Sequence, residues 1–382
     1  MAIHRFAFPT DIHFGPGARR EAGPYLRAQG CQRPLIVTDK GIGALPLLGE
    51  FKTTLDGLAV DVYAGVAGNP VTSQVDAGVA AFKNHGADCV IGFGGGAALD
   101  VAKAVALMAV HPGSVLEYAW DHPQVRPIER ELPCFIALPT TAGTGSEVGR
   151  SSVISDDATH IKKIIFSAKL LARAVFADPE LTLDLPPNVT AATGMDALTH
   201  NIESYIAKGY HPMCDGIALE GVRIAARALS IAVREPRNLE ARSEMLMASL
   251  MGAVAFQKDL GATHSCAHAL STVADLHHGL ANGIMIDYVM RFNQPAETER
   301  FALMAQAVGV TRATPEASSD AFVAWLTALK REVGIPAKLG ALKVSMQHLP
   351  KLLDVAVDDI CHRTNPRPCT RQDFERLFTE AM

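Results

Sequence analysis

The chain has 382 residues, 48% of them hydrophobic and 20% charged, with a net charge of −5. That length predicts two domains, and this balance excludes a disordered or fibrous chain. No Lys/Arg run offers a nucleic-acid footprint and every apolar run is too short to span a membrane.

The opening segment, MAIHRFAFPTDIHFG, lacks the apolar core of a secretory leader. Beyond it, short β-rich runs alternate with helical patterns. Strands are predicted at Pro34–Asp39, Leu58–Ala64, Cys89–Gly94, Cys134–Pro139 and Ala174–Asp178, with helices over Val75–His85 and Ala98–Val110. Strands that are apolar throughout and alternate with helices predict a parallel sheet covered on both faces. After Leu185-Pro186-Pro187 the pattern becomes purely helical, as in Ala191–Ala207, Asp215–Arg234 and Glu240–Phe256. The expected boundary is therefore 1–185 and 186–382, marked by the prolines. Seven cysteines without a CxxC pair fit a reducing compartment, so a cytoplasmic enzyme is expected.

Cys89–Lys103 reads as a buried strand, a glycine turn and a helix. Such a turn lets backbone N–H groups approach a phosphate at a helix N-terminus, or it serves sterics alone. The acid that the ordinary dinucleotide fingerprint requires is missing, because Glu117 does not end an apolar strand. Asp39 does end one; it is either a ribose acceptor that disfavours a 2′-phosphate or a turn and helix-cap residue. Pro139–Ser146 adds hydroxyls and glycines past another strand end.

Six of the 14 histidines fall between 200 and 278. Asp196 and His200, and His264 and His268, are spaced i, i+4, which puts each pair on one helix face. Such a pair is often only an ion pair or a packed imidazole. Two pairs followed by His277-His278 instead suggest a site for a divalent ion such as Fe²⁺ or Zn²⁺. No glutamate follows His264, which excludes the metalloprotease signature, and Cys266 at i+2 faces away from His264.

GGGxxxDxAK at Gly94–Lys103, PTTxGTGSE at Pro139–Glu147, GMDALTH at Gly194–His200, HxxAH at His264–His268, HGLAN at His278–Asn282 and NPR at Asn365–Arg367 together resemble the iron-dependent (group III) alcohol dehydrogenases. The resemblance runs nearly the whole chain. It implies a Rossmann-like α/β dinucleotide-binding domain, an all-helical C-terminal domain, and a metal in the cleft between them. By the same resemblance, Asp196, His200, His264 and His278 hold the ion and His268 relays a proton. Cofactor contacts fall on Asp39, Asn69, Gly94, Gly95, Gly96, Asp100, Thr140, Thr141, Thr144 and Lys162. NAD and Fe²⁺, with Zn²⁺ as the alternative ion, are the implied cofactors, and a homodimer is the implied assembly. Ala97 departs from the family's serine and His277 from its proline, while Ala269 and Ser271 replace a proline and a glycine; no ligand is lost.

FQKxLG around Lys258 with HxTNPR at His362–Arg367 resembles the 4-hydroxybutyrate dehydrogenase branch. Lys258, His362 and Arg367 are therefore expected near a distal anionic group of the substrate, succinic semialdehyde first. The alternative is that Lys258 reaches solvent and Arg367 pairs structurally. Phosphonoacetaldehyde-type aldehydes, plain short alcohols or diols, and a cyclase of the dehydroquinate-synthase type are the competing readings.

Overall fold

The computed structural model describes residue 8 and residues 10–382. The chain divides into two compact units. One comprises residues 8–141 and 145–182; the other comprises 142–144 and 183–382.

The first unit is built on a six-stranded parallel sheet. Its strands are β1 (Asp11–Phe14), β2 (Pro34–Asp39), β3 (Asp61–Val66), β4 (Cys89–Gly94), β5 (Cys134–Pro139) and, after a hairpin of β6 (Ser151–Ser155) and β7 (Lys162–Phe166), β8 (Ala174–Ala177). The order is β1-β8-β5-β4-β2-β3. Every residue of β4 and β8 is buried, as is all but one end residue of β2 and β5. This is the consequence of parallel strands covered on both faces. Leu35, Ile36, Val90, Ile91, Ile136 and Phe176 carry the core, with Phe51 stacked on Phe93 at 4.7 Å between ring centroids.

The edges depart from the expectation. β3 begins at Asp61 rather than Leu58, because Leu58 and Val60 pack into the core from an irregular segment whose Ala59 N–H reaches Gln32 O. β1 is mostly exposed and pairs only with β8, so it carries no apolar run. The β6–β7 hairpin is antiparallel and rich in Ser and Lys. Its turn is set by Asp156, whose Oδ1 accepts the N–H groups of Ala158 and Thr159.

The second unit is helical. Pro187 occupies the first turn of the Pro187–Ile206 helix, where its missing N–H costs nothing. From Thr190 to Ile206 every residue of that helix is buried, against the helices Pro212–Arg234, Leu239–Ala255 and His278–Asn293. A helix buried on all sides should be apolar throughout. This one instead carries Asp196, His200, Asn201 and Glu203 inside, and each such group needs a partner.

Candidate metal centre

Asp196 and His200 lie one turn apart on the Pro187–Ile206 helix. His264 enters from the first turn of the Ala262–Ala274 helix, and His278 opens the His278–Asn293 helix. One ligand atom from each of these four residues lies within 4.8 Å of all the others. Asp196 Oδ1 stands 3.9 Å from His264 Nε2 and 3.5 Å from His278 Nε2, and the His200 and His264 rings stack at 4.7 Å. Asp196, His200 and His264 are buried and His278 is half-buried. One carboxylate oxygen and three imidazole nitrogens converging out of water form a donor set that fits a divalent Fe²⁺ or Zn²⁺ ion. Burial pushes the His200 imidazole down to about 4, against the pull of Asp196. It is therefore neutral at ordinary pH, the form a ligand must take.

A second layer of side chains holds the quartet. Asn282 donates from Nδ2 to Asp196 Oδ1 at 2.7 Å, and the same nitrogen lies 3.3 Å from His264 Nε2 and 3.2 Å from His278 Nε2. Glu203, wholly buried, sits 2.7 Å from His264 Nδ1. Burial opposes a charge on His264, yet the hydrogen bond and charge of Glu203 outweigh it and raise the imidazole. Gly261, just before this helix, has room for nothing larger: an added Cβ would lie 2.7 Å from Glu203 Oε1 and 2.9 Å from Asn365 Oδ1.

His268 stands outside the ligand set. Its Nδ1 is 2.7 Å from Asp359 Oδ2, and its ring stacks on His278 at 5.3 Å. Asp359 Oδ1 in turn accepts from Ser265 Oγ at 2.7 Å and from the Cys361 N–H at 2.9 Å. Burial opposes ionisation of Asp359, but the His268 charge and these hydrogen bonds hold its carboxyl well below the usual range. His277 is exposed and caps its helix, accepting the Leu280 N–H at 3.4 Å, which leaves His278 as the member of the quartet. Cys266 is fully buried and its thiol is pushed well up by burial, so it has no nucleophilic character.

Each of the three residues expected near a substrate anion has partners within the protein. Lys258 is buried and donates to Asp215 at 2.5 Å and to Tyr205 O at 3.1 Å. Arg300 shares the same Asp215 at 3.0 Å. Arg367 lies over the Phe292 ring at 4.0 Å and donates to Phe292 O, while His362 Nε2 is 3.1 Å from Val357 O. A buried cation demands an anionic partner; for Lys258 that partner is within the protein.

In the first unit, Asp39, Gly94 to Gly96, Thr140 and Thr141 lie at the carboxyl ends of strands, where open α/β sheets bind ligands. Asp39 ends β2 and Gly94 ends β4, next to it in the sheet. Asp39 Oδ1 caps the short helix that follows, accepting the Ile42 N–H at 2.9 Å. Its Oδ2 faces Gly94, where an added Cβ would lie 3.3 Å away. Gly94 has φ +156°, and the same Cβ would lie 2.6 Å from Ala98 Cβ. Gly95 caps the Gly96–Met108 helix beside Thr141, and Thr140 donates its N–H to Gly94 O at 3.0 Å. Asp100 has a scaffold role: its carboxylate accepts from Ser146 Oγ at 2.6 Å and from the Val153 N–H at 3.0 Å. Asn69 follows β3 half-buried, Lys162 opens β7, and Thr144 belongs to the helical unit.

Glu203, Asn282, Asp359 and Asn365 received no role from the sequence. Glu203 follows Asp196 and His200 at i+7, so extending the helical spacing by one turn would have found it. Asp359 lies 91 residues from its partner His268 and has no local signal.

The comparisons agree with this geometry. Residues 9–179 match the model of the iron-containing alcohol dehydrogenases, and residues 190–382 match that of the C-terminal domain of the Fe-containing alcohol dehydrogenase family. The chain is 35% identical to a 4-hydroxybutyrate dehydrogenase of Cupriavidus necator, over 98% of both chains. It superimposes on a 1,3-propanediol oxidoreductase with a TM-score of 0.95 at 34% identity, covering 100% of both chains. It also superimposes on a sulfoacetaldehyde reductase from Bifidobacterium kashiwanohense in complex with NAD⁺, with a TM-score of 0.89 at 30% identity, covering 100% of this chain and 99% of that one. With its ligand quartet, its parallel sheet and both family matches in agreement, the chain belongs to the iron-containing alcohol dehydrogenase family and is an oxidoreductase.

Proposed function

We propose that the protein interconverts a short-chain primary alcohol and its aldehyde with NAD, using Fe²⁺ or, as the alternative, Zn²⁺. In this reading residues 1–185 bind the dinucleotide and residues 186–382 bind metal and substrate. The observation that carries it is the largely buried quartet of Asp196, His200, His264 and His278, with His268 beside it but outside it. Asp196, His200, His264 and His278 would hold the ion, which would supply Lewis acidity toward the substrate oxygen, and the dinucleotide would supply or accept the hydride.

The chain's own residues do the rest. Asp359 accepts the Nδ1–H of His268 and so leaves Nε2 as the basic atom, which takes up or returns the hydroxyl proton. Asp39 supports the choice of NAD, because a carboxylate at the end of β2 accepts ribose hydroxyls and repels a 2′-phosphate. The NAD⁺ complex of the sulfoacetaldehyde reductase supports the same choice by similarity.

Succinic semialdehyde is the aldehyde we place first, on the likeness to 4-hydroxybutyrate dehydrogenase. A neutral substrate is the second reading, and the pairing of Lys258 with Asp215 favours it. An aldehyde panel assayed with NADH, on chelator-stripped enzyme with iron or zinc added back, tests both. Metal-dependent NADH oxidation is expected, and activity without metal or nicotinamide would overturn the proposal. A Lys258→Met variant with an unchanged KM for succinic semialdehyde assigns that lysine to structure alone.

A further inference from the structure

Asp196, His200 and Glu203 stand at i, i+4 and i+7 of one helix, so a single face carries two ligands of the quartet and one more carboxylate. Both Glu203 oxygens are engaged. Oε1 accepts the Thr263 N–H at 2.6 Å. Oε2 accepts the N–H groups of Gly261 at 3.1 Å and His264 at 3.3 Å, and lies 2.7 Å from His264 Nδ1. The remaining N–H at this end of the helix, that of Ala262, goes to Asn365 Oδ1 at 3.1 Å. Two side chains thus satisfy the donors that every helix start leaves open.

The contact to the ring has a chemical consequence that capping alone does not require. An ionised carboxylate only accepts, so His264 Nδ1 must carry hydrogen, and the lone pair of the neutral ring is then at Nε2. Nε2 is the atom that faces Asp196. We infer that Glu203 is a positioning residue for the metal, selecting Nε2 of His264 as the ligating atom and fixing the plane of its ring. With Asp196 it also brings the buried charge of a divalent ion to zero, which lowers the cost of holding that ion out of water. The inference rests on the quartet being the metal site.

The test uses the full chain as wild type, Glu203→Gln and Asn365→Ala. Each is stripped with a chelator and titrated with Zn²⁺ against a chromogenic competitor, and the thermal midpoint of the stripped form is also recorded. Gln keeps the volume of Glu203 but loses its charge and presents an NH₂ group among donors. Zn²⁺ affinity is expected to fall by about 10–100-fold, the usual effect of losing such a partner. Asn365→Ala loosens the same helix start without touching the imidazole. It should lower the midpoint and leave Zn²⁺ affinity as in wild type. Equal Zn²⁺ affinity in Glu203→Gln and wild type overturns this inference alone. A wild-type chain that takes up no Zn²⁺ overturns the metal reading as well. Should Glu203→Gln fail to fold, ¹⁵N-histidine-labelled wild type loaded with Zn²⁺ decides. An exchange-protected Nδ1–H that vanishes in His264→Gln supports the inference, and metal bound at His264 Nδ1 overturns it.

Discussion

At the carboxyl ends of β2, β4 and β5 the polar equipment is mostly backbone, whereas around His264 it is almost wholly side chain. The turn after β4 is glycine, and what it demands at Gly94 is the absence of a Cβ. The quartet demands particular atoms, and Asp196 and His264 are each backed by a second residue, Asn282 and Glu203 respectively. A site made of backbone tolerates changes of side chain that leave the turn intact. A site made of side chains fails when any member is shortened.

The hardest blow to the helical unit is therefore His200→Ala. It removes one of four donors from a buried place and leaves no small group able to reach the same point. Metal content after chelator dialysis and turnover should both drop by more than about 100-fold, beyond the loss expected for an outer partner. Full activity in a metal-free preparation of this variant would break the contrast at its root.

The buried charges of the sheet unit give the next largest effect. Glu147, in the loop after β5, is buried and its Oε1 has no hydrogen-bond partner. Burial raises its carboxyl to about 7, outweighing a hydrogen bond from its own backbone and the charge of Lys103. Lys103 spends its three donors on Ser146 O, Ser146 Oγ and Ser151 O, and so gives Glu147 no hydrogen bond. Between the ordinary value of 4.5 and about 7, the folded chain holds a proton that the unfolded chain has lost. The burden on stability is thus absent below pH 4.5 and complete above about pH 7, where it amounts to about 3 kcal/mol. Glu147→Gln should remove it. In denaturant titrations the variant should gain on wild type as pH rises from 5 to 8, and parallel curves would show that Glu147 is not buried as a lone carboxyl.

The same contrast explains what could be read from the sequence. Strands β2, β4, β5 and β8 are continuous apolar runs because both their faces are covered, and such runs are visible without coordinates. Strands β1, β6 and β7 are held by edge or hairpin pairing and show no such run. The ligands of the quartet are legible because the i, i+4 spacing and the motifs name them. Their backing is less so. Asn365 reaches the start of the Ala262–Ala274 helix across 103 residues, and Asp359 reaches His268 across 91. Lys258 shows the converse, since a lysine in an apolar segment asks for an anion, but only the fold shows that Asp215 stands beside it.

The backbone-built site should yield more gently. Gly94→Ala leaves every side chain of the turn in place but sets a methyl 2.6 Å from Ala98 Cβ at φ +156°. Strain of this kind costs on the order of 1–3 kcal/mol. NAD binding, read by fluorescence titration, should weaken while metal content stays at the wild-type level. A loss of metal together with NAD would mean that the two sites are not built on separate principles.

The smallest effect is expected at Asp39, where one residue has two roles that can be separated. As a cap, its Oδ1 holds the Ile42 N–H, and replacing such a cap by glycine costs only a few tenths of a kcal/mol. As a charge at the end of β2, it is proposed to disfavour a 2′-phosphate. Asp39→Gly should therefore leave the thermal midpoint nearly unchanged. The ratio of kcat/KM for NAD over NADP should fall about tenfold, equivalent to roughly 1.4 kcal/mol. A fall in midpoint with no change in that ratio would make Asp39 a helix cap and nothing more. A changed ratio at constant stability would mean that this carboxylate, a side chain in a site made largely of backbone, is what distinguishes the two dinucleotides.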